Sequence, residues 1–129
     1  MRLNILFVIS AIYLALVGLG FLFAPTALMF GTVGPEASAA LIANLRGPAS
    51  LFIATALLNW LARNAEVSKT RDAIVLANIV GFALAGVLDV IAVIGTGAPS
   101  IELVPAIINF VLVVAFFWLG RANMSAATR

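Results

Sequence analysis

The chain contains no cysteine and no histidine, and only 9% of its 129 residues are charged. Without thiolate or imidazole it cannot build a thiolate or histidine zinc site, hold an iron–sulfur cluster, ligate haem through imidazole or run a histidine-based triad. No cofactor is therefore expected, and no metal site. Lack of cysteine also removes any disulfide framework, so thiol usage says nothing about the compartment that the loops face. Scarcity of charge is the third absence. A soluble domain carries about 25% charged residues and about 45–50% apolar ones, whereas here 64% are apolar and the mean hydropathy is +1.22. The net charge of +2 comes from seven Lys and Arg against five Asp and Glu, and the basic residues are scattered between apolar runs. They form no basic patch, so no nucleic-acid partner is expected.

What is present is apolar sequence in long runs. The apolar residues, about 83 in number, suffice for about four helices of ~20 residues each crossing a bilayer. The runs predict spans over residues 3–24, 38–62, 73–94 and 103–120. Pro25–Ala37, the polar Arg63–Asp72 and the short Gly95–Ser100 segment connect them. Arg2 ahead of the first run also fits a secretory signal. The run is longer than the usual ~7–15 residue apolar region of such a signal, and Phe-Ala-Pro is a poor cleavage context, so an uncleaved span is expected. Ser100 is placed to cap the fourth helix, with Glu102 in its first turn where the helix dipole favours an anion.

Orientation follows from the basic residues. If the spans alternate, Arg2, Arg63, Lys69, Arg71, Arg121 and Arg129 fall on one side and the opposite loops carry no Lys or Arg. The positive-inside rule then puts both termini in the cytoplasm, and Trp60 and Trp118 fall at the matching interface. The expectation is an all-α integral membrane protein: one domain over 1–129, four transmembrane helices in an up-down-up-down antiparallel bundle, with both termini cytoplasmic.

Polar groups within the spans are the informative residues, because a mid-membrane Arg or Asp costs about 2.5–3.5 kcal/mol on insertion scales and needs a protein partner. Arg46 and Asp89 lie at matching depths, ~8–12 Å below the outer boundary at ~1.5 Å per residue. A pair bridging spans two and three is therefore expected. Such a pair fixes helix register or lines a cavity where Arg46 holds an anionic head group. Asn78 and Asp89 are eleven residues apart, within about 20° of one helix face, with Gly81, Phe82 and Ala85 between them. Ala77, Gly81 and Ala85 form a small-residue ladder suited to close helix approach within the chain or between subunits. Asn109 falls near the depth of Asp89. Asn59, Asn78 and Asn109 read first as interhelical glue. Pro48 removes a backbone donor and clashes with the carbonyl of Asn44, predicting a kink or unwound turn at Asn44–Pro48. Tyr13, near mid-membrane, needs an acceptor for its hydroxyl, either a backbone carbonyl or a group at the floor of the cavity. The Phe-rich positions, Phe116 and Phe117 among them, read as packing or lipid-facing residues.

Phe23-Ala24-Pro25 after the first span and Asn44-Leu45-Arg46-Gly47 early in the second resemble the small bacterial DoxX-like four-helix membrane proteins; Pro48 and Ala49 depart from that pattern. The resemblance implies an inner-membrane four-helix bundle, sometimes associated with other membrane or redox proteins, and transfers no catalytic residues. Tyr13, Asp89 and Glu102 could serve as acid–base groups, yet no nucleophile–base constellation is legible, so a non-enzymatic role is expected. The expected function is binding or passing a small amphipathic, hydrophobic or anionic molecule in an outer-half cavity lined by Arg46, Asp89, Asn44, Asn109 and Tyr13. The alternative is an accessory or scaffold subunit, with membrane lipid, a membrane protein partner or a second copy as neighbours.

Overall fold

In the computed structural model the described residues are 2–29, 34, 36–97 and 100–123, apart from the side chains of Thr96 and Glu102. Among them the chain is helical, without strands. The elements are α1 (Leu3–Phe23), α2 (Ala39–Ala62), α3 (Lys69–Thr96) and α4 (Leu103–Ala122), with short 3-10 turns at Ala27–Met29 and Ser100–Glu102. All four α-helices are long and apolar enough to cross a membrane.

Local chemistry accounts for most of the ends. Ser38 caps α2 by accepting from the Leu41 amide at 3.2 Å, and Ser68 caps α3 by accepting from the Arg71 amide at 3.2 Å. The second cap starts α3 four residues before its apolar run, and Asp72 sits in the first turn where the helix dipole favours it. Gly97 ends α3 in the left-handed region at φ 68°, a conformation that glycine adopts without a Cβ penalty. Ser100 begins the 3-10 turn that leads into α4, rather than capping that helix directly. Ala98 and Pro99 of the expected turn lie outside the described residues. Pro48 is accommodated inside α2, which stays helical from Ala39 to Ala62 instead of unwinding at Asn44–Pro48.

The helices associate as two closely packed pairs, α1 with α2 and α3 with α4. A Cβ on Gly18 would stand 3.2 Å from the Ala49 carbonyl oxygen and 3.1 Å from the Phe52 Cβ, so glycine lets α1 and α2 approach at that level. Phe21 stacks on Phe52 just beyond, with ring centroids 5.8 Å apart. Between the pairs lies an aromatic core: Phe116, 0% exposed, meets Phe7 edge-on at 5.5 Å and stacks on Phe82 at 6.1 Å. Phe117, one residue on, is 52% exposed, so the two phenylalanines divide between packing and the outer surface.

Polar side chains join the pairs at a second point. Asn59 and Asn78 exchange two amide hydrogen bonds, each 2.8 Å, and Asn59 also donates to the Ser10 hydroxyl at 3.1 Å. Asn78 gives its other amide hydrogen to the Ile74 carbonyl at 2.9 Å, and Ser10 donates to the Phe7 carbonyl at 3.0 Å. All four amide hydrogens of the two asparagines are thus placed, which is what their burial in an apolar medium requires. At the nearby end, Arg71 bonds the carbonyls of Ala65 and Asn123, tying the α2–α3 connection to the end of α4. Arg63 lies over the Trp60 ring, 4.0 Å from its centroid, and bonds the Trp60 carbonyl.

A double-mutant cycle of Asn59→Ala and Asn78→Ala, measured by reversible unfolding in mixed micelles, should return a coupling of about 0.6–1.7 kcal/mol. A coupling indistinguishable from zero would mean that the amide pair does not hold the helix pairs together.

Candidate functional site

Beyond the Asn59–Asn78 pair, towards the α1–α2 and α3–α4 connections, α2 and α3 do not close on each other. Between them lies a cleft of about 740 Å³, walled by all four helices and the 3-10 turn at Leu28 and Met29. That volume falls within the range of small-molecule sites. Pro48, Leu51, Phe52 and Thr55 form one wall, and Ala77, Gly81, Phe82, Ala85 and Asp89 form the facing one.

The shape of the cleft has a sequence cause. On α3 the wall residues are largely small, and a Cβ added to Gly81 would meet nothing within 4 Å. The ladder Ala77, Gly81 and Ala85 therefore lines the cleft instead of seating a neighbouring helix. Leu51 on the opposite lip is 72% exposed, and Gly81 and Pro48 are exposed as well, so the cleft faces sideways. In a chain crossing a bilayer, that direction is the lipid.

Its polar end is assembled from three helices. Asn109, on α4 and buried, donates an amide hydrogen to Asp89 Oδ2 on α3 at 3.0 Å, and its Oδ1 accepts from the Tyr13 hydroxyl on α1 at 3.3 Å. The Tyr13 ring leans on Phe82 at 6.3 Å. The amide thus works as a bridge, oriented by a donor on one side and an acceptor on the other. Asp89 is seven residues from the end of α3 and Asn109 six into α4, which places both ~9–11 Å inside the helix ends at ~1.5 Å per residue.

Of the five residues singled out in the sequence, the structure brings together Tyr13, Asp89 and Asn109, all on the cleft lining. Arg46 and Asn44 are exposed and not among the lining residues. Arg46 stands two residues before Pro48, about 160° around α2 from the cleft wall. Among the described residues it makes no ion pair with Asp89, a carboxylate to which Asn109 donates. Asn44 stands one turn before Pro48, on the same side of α2, and is exposed. Glu102 lies in the 3-10 turn before α4, and its side chain is outside the described residues. Asn59 and Asn78 divide in role, since Asn78 both joins the helix pairs and lines the inner end of the cleft. Sequence reasoning missed Leu51, Phe52 and Thr55, whose spacing of three, four and seven residues from Pro48 is the helical signal that could have found them.

Comparison with known proteins yields no matching family model, no matching curated protein and no matching solved structure.

Glycine substitutions separate cleft from core. Gly81→Leu should leave unfolding within about 0.5 kcal/mol of wild type or raise stability, as at sites away from tight packing. Gly120→Leu, whose Cβ would stand 2.5 Å from Val75 Cγ1, should cost about 1–3 kcal/mol or more. Equal penalties in a denaturant titration would contradict the cleft.

Proposed function

We propose that this protein is a multi-pass membrane protein that binds a small amphipathic molecule in the cleft between α2 and α3. The ligand's polar end sits at Asp89, Asn109 and Tyr13, and its apolar body lies along Leu14, Val17, Phe52 and Phe82. One observation carries this reading: a cleft of ligand size faces sideways, its walls apolar and its few polar side chains convergent. Intramembrane ionisable residues in such positions mark functional sites by default.

On this reading the helices run up-down-up-down with both termini cytoplasmic, in a bacterial inner membrane. The positive-inside rule supports that orientation, since Arg2, Arg63, Lys69, Arg71 and Arg121 belong to one end of the helix set. Trp60 and Trp118, 44% and 75% exposed near that end, suit an interface. The DoxX-like resemblance rests on Phe23-Ala24-Pro25 and Asn44-Leu45-Arg46-Gly47 and agrees with this architecture. An anionic ligand loses its rationale, because Arg46 stands outside the lining.

The accessory or scaffold reading has its own observation. Arg46 and Ser50, within about 40° of each other, are exposed on α2, the least apolar of the four helices. Such a face suits a membrane protein partner or a second copy of the chain.

Native mass spectrometry of gently extracted protein discriminates the two. A small-molecule adduct should accompany the wild type, persist in Arg46→Ala and vanish in Gly81→Leu, which fills the cleft. Protein that carries no adduct but keeps a stoichiometric partner in wild type and Gly81→Leu alike would replace ligand binding with the scaffold role.

A further inference from the structure

At the end of the helices away from the cleft, several hydrogen-bond donors are left unspent. Where the start of α1 passes the end of α2, Asn4, Ile5, Val8, Arg63 and Asn64 line an open groove of about 300 Å³. Arg63 is half-buried there and fixed in place: its guanidinium lies over the Trp60 ring, 4.0 Å from the centroid, and one of its N–H groups goes to the Trp60 carbonyl. A guanidinium carries about five N–H groups in a planar fork that matches phosphate oxygens, so most are left over. Among the described residues no carboxylate pairs with Arg63, and the exposed side-chain amides of Asn4 and Asn64 make no hydrogen bond.

Beside these donors the surface is apolar. Ile5 and Val8 floor the groove, and Ile9, Ile12 and Leu16, all exposed, continue from Ile5 within about 40° of it on α1. At ~1.5 Å per residue the stripe from Ile5 to Leu16 runs ~16 Å, about the depth of one leaflet in a hydrocarbon core ~30 Å thick. Unspent donors at the head of an apolar stripe one leaflet deep match a phosphate that carries an acyl chain. A soluble anion would use the donors and leave the stripe bare. The sign of the charge follows from the neighbourhood: this end of the helices carries Arg2, Arg63, Lys69, Arg71 and Arg121 against Glu66 and Asp72. That surplus of basic residues favours a lipid of net negative charge over a zwitterionic one.

We propose that this groove binds the head group of an anionic phospholipid, its phosphate taken by Arg63 with Asn4 and Asn64 and one acyl chain laid along the stripe from Ile5 to Leu16. Arg63 is the binding residue, and Trp60 is the residue that positions it. The site lies at the opposite end of the helices from the cleft. It shares with the reading above only the membrane crossing and its orientation, which puts the groove in the cytoplasmic leaflet.

The test uses Trp60 as the reporter. The chain has two tryptophans, so Trp118→Phe leaves Trp60 alone, and the full chain in that background is reconstituted into phosphatidylcholine vesicles. These are doped with either phosphatidylglycerol or phosphatidylcholine brominated on the upper acyl chain. Brominated phosphatidylglycerol should quench Trp60 fluorescence with a relative affinity at least about threefold above that of brominated phosphatidylcholine. Arg63→Gln should bring the two lipids to within about 1.5-fold, whereas Arg121→Gln, which removes an equal charge at the same end, should leave the preference unchanged. An excess of glycerophosphoglycerol, the head group alone, present on both faces of the vesicle, should not relieve the quenching. Equal quenching by the two lipids, or a preference that Arg63→Gln and Arg121→Gln change to the same extent, would overturn the site. Relief by the free head group would assign the groove to a soluble anion and overturn the lipid. Should Arg63→Gln fail to reconstitute, Asn4→Leu with Asn64→Leu, both at exposed side chains, should lower the preference at least about twofold, and no change there would overturn the site as well. None of these outcomes bears on the cleft.

Discussion

Within a bilayer no water is at hand to satisfy a stray polar group, so each must find its partner inside the protein. In this chain that constraint is met at one buried point by the exchange of amide hydrogen bonds between Asn59 and Asn78, with Ser10 beneath. Apolar side chains alone could not join the two helix pairs with comparable specificity, because lipid tails compete for the same contacts. The amide pair does not suffer that competition. Together with the Phe7–Phe116–Phe82 cluster it sets where the pairs touch, and so leaves α2 and α3 apart over the rest of their length.

That separation turns composition into a site. Small residues on α3, which elsewhere would let two helices close, here form the wall of a cleft whose opposite wall is Pro48, Leu51, Phe52 and Thr55. Three polar side chains from α1, α3 and α4 converge at its far end in the chain Tyr13 to Asn109 to Asp89. Because Asn109 both accepts and donates, the geometry of Asp89 depends on a residue from each of two other helices.

Much of this was legible in the sequence because it depends on local periodicity. The four spans emerge within a few residues of the helices. Where α3 begins early, the cause is a capping serine at 68 outside the apolar run. The stripe Asn78, Gly81, Phe82, Ala85 and Asp89 was visible as one helix face, and that face lines the cleft. Pairings between helices were not legible, since depth alone does not fix which way a side chain points. Arg46 matched Asp89 in depth yet faces elsewhere. Thirteen residues separate it from the buried Asn59, a rotation of about 140°, and that azimuth was the signal for its exposure. The small-residue ladder was ambiguous for the same reason: spacing shows that close approach is allowed, and only the positions of the other helices decide whether it happens.

The central claim is that α2 and α3 stand apart beside Gly81, and a chain with no native cysteine allows it to be tested by disulfide trapping in native membranes. A cysteine pair at Val75 and Gly120 provides the reference, because a Cβ on Gly120 would lie 3.8 Å from the Val75 Cβ, within the range a disulfide spans. Oxidation should cross-link that pair efficiently and leave a pair at Leu51 and Gly81 uncross-linked. Equal cross-linking of Leu51→Cys with Gly81→Cys would mean that the two helices close on each other, and that the cleft and the ligand site built on it do not exist in the membrane.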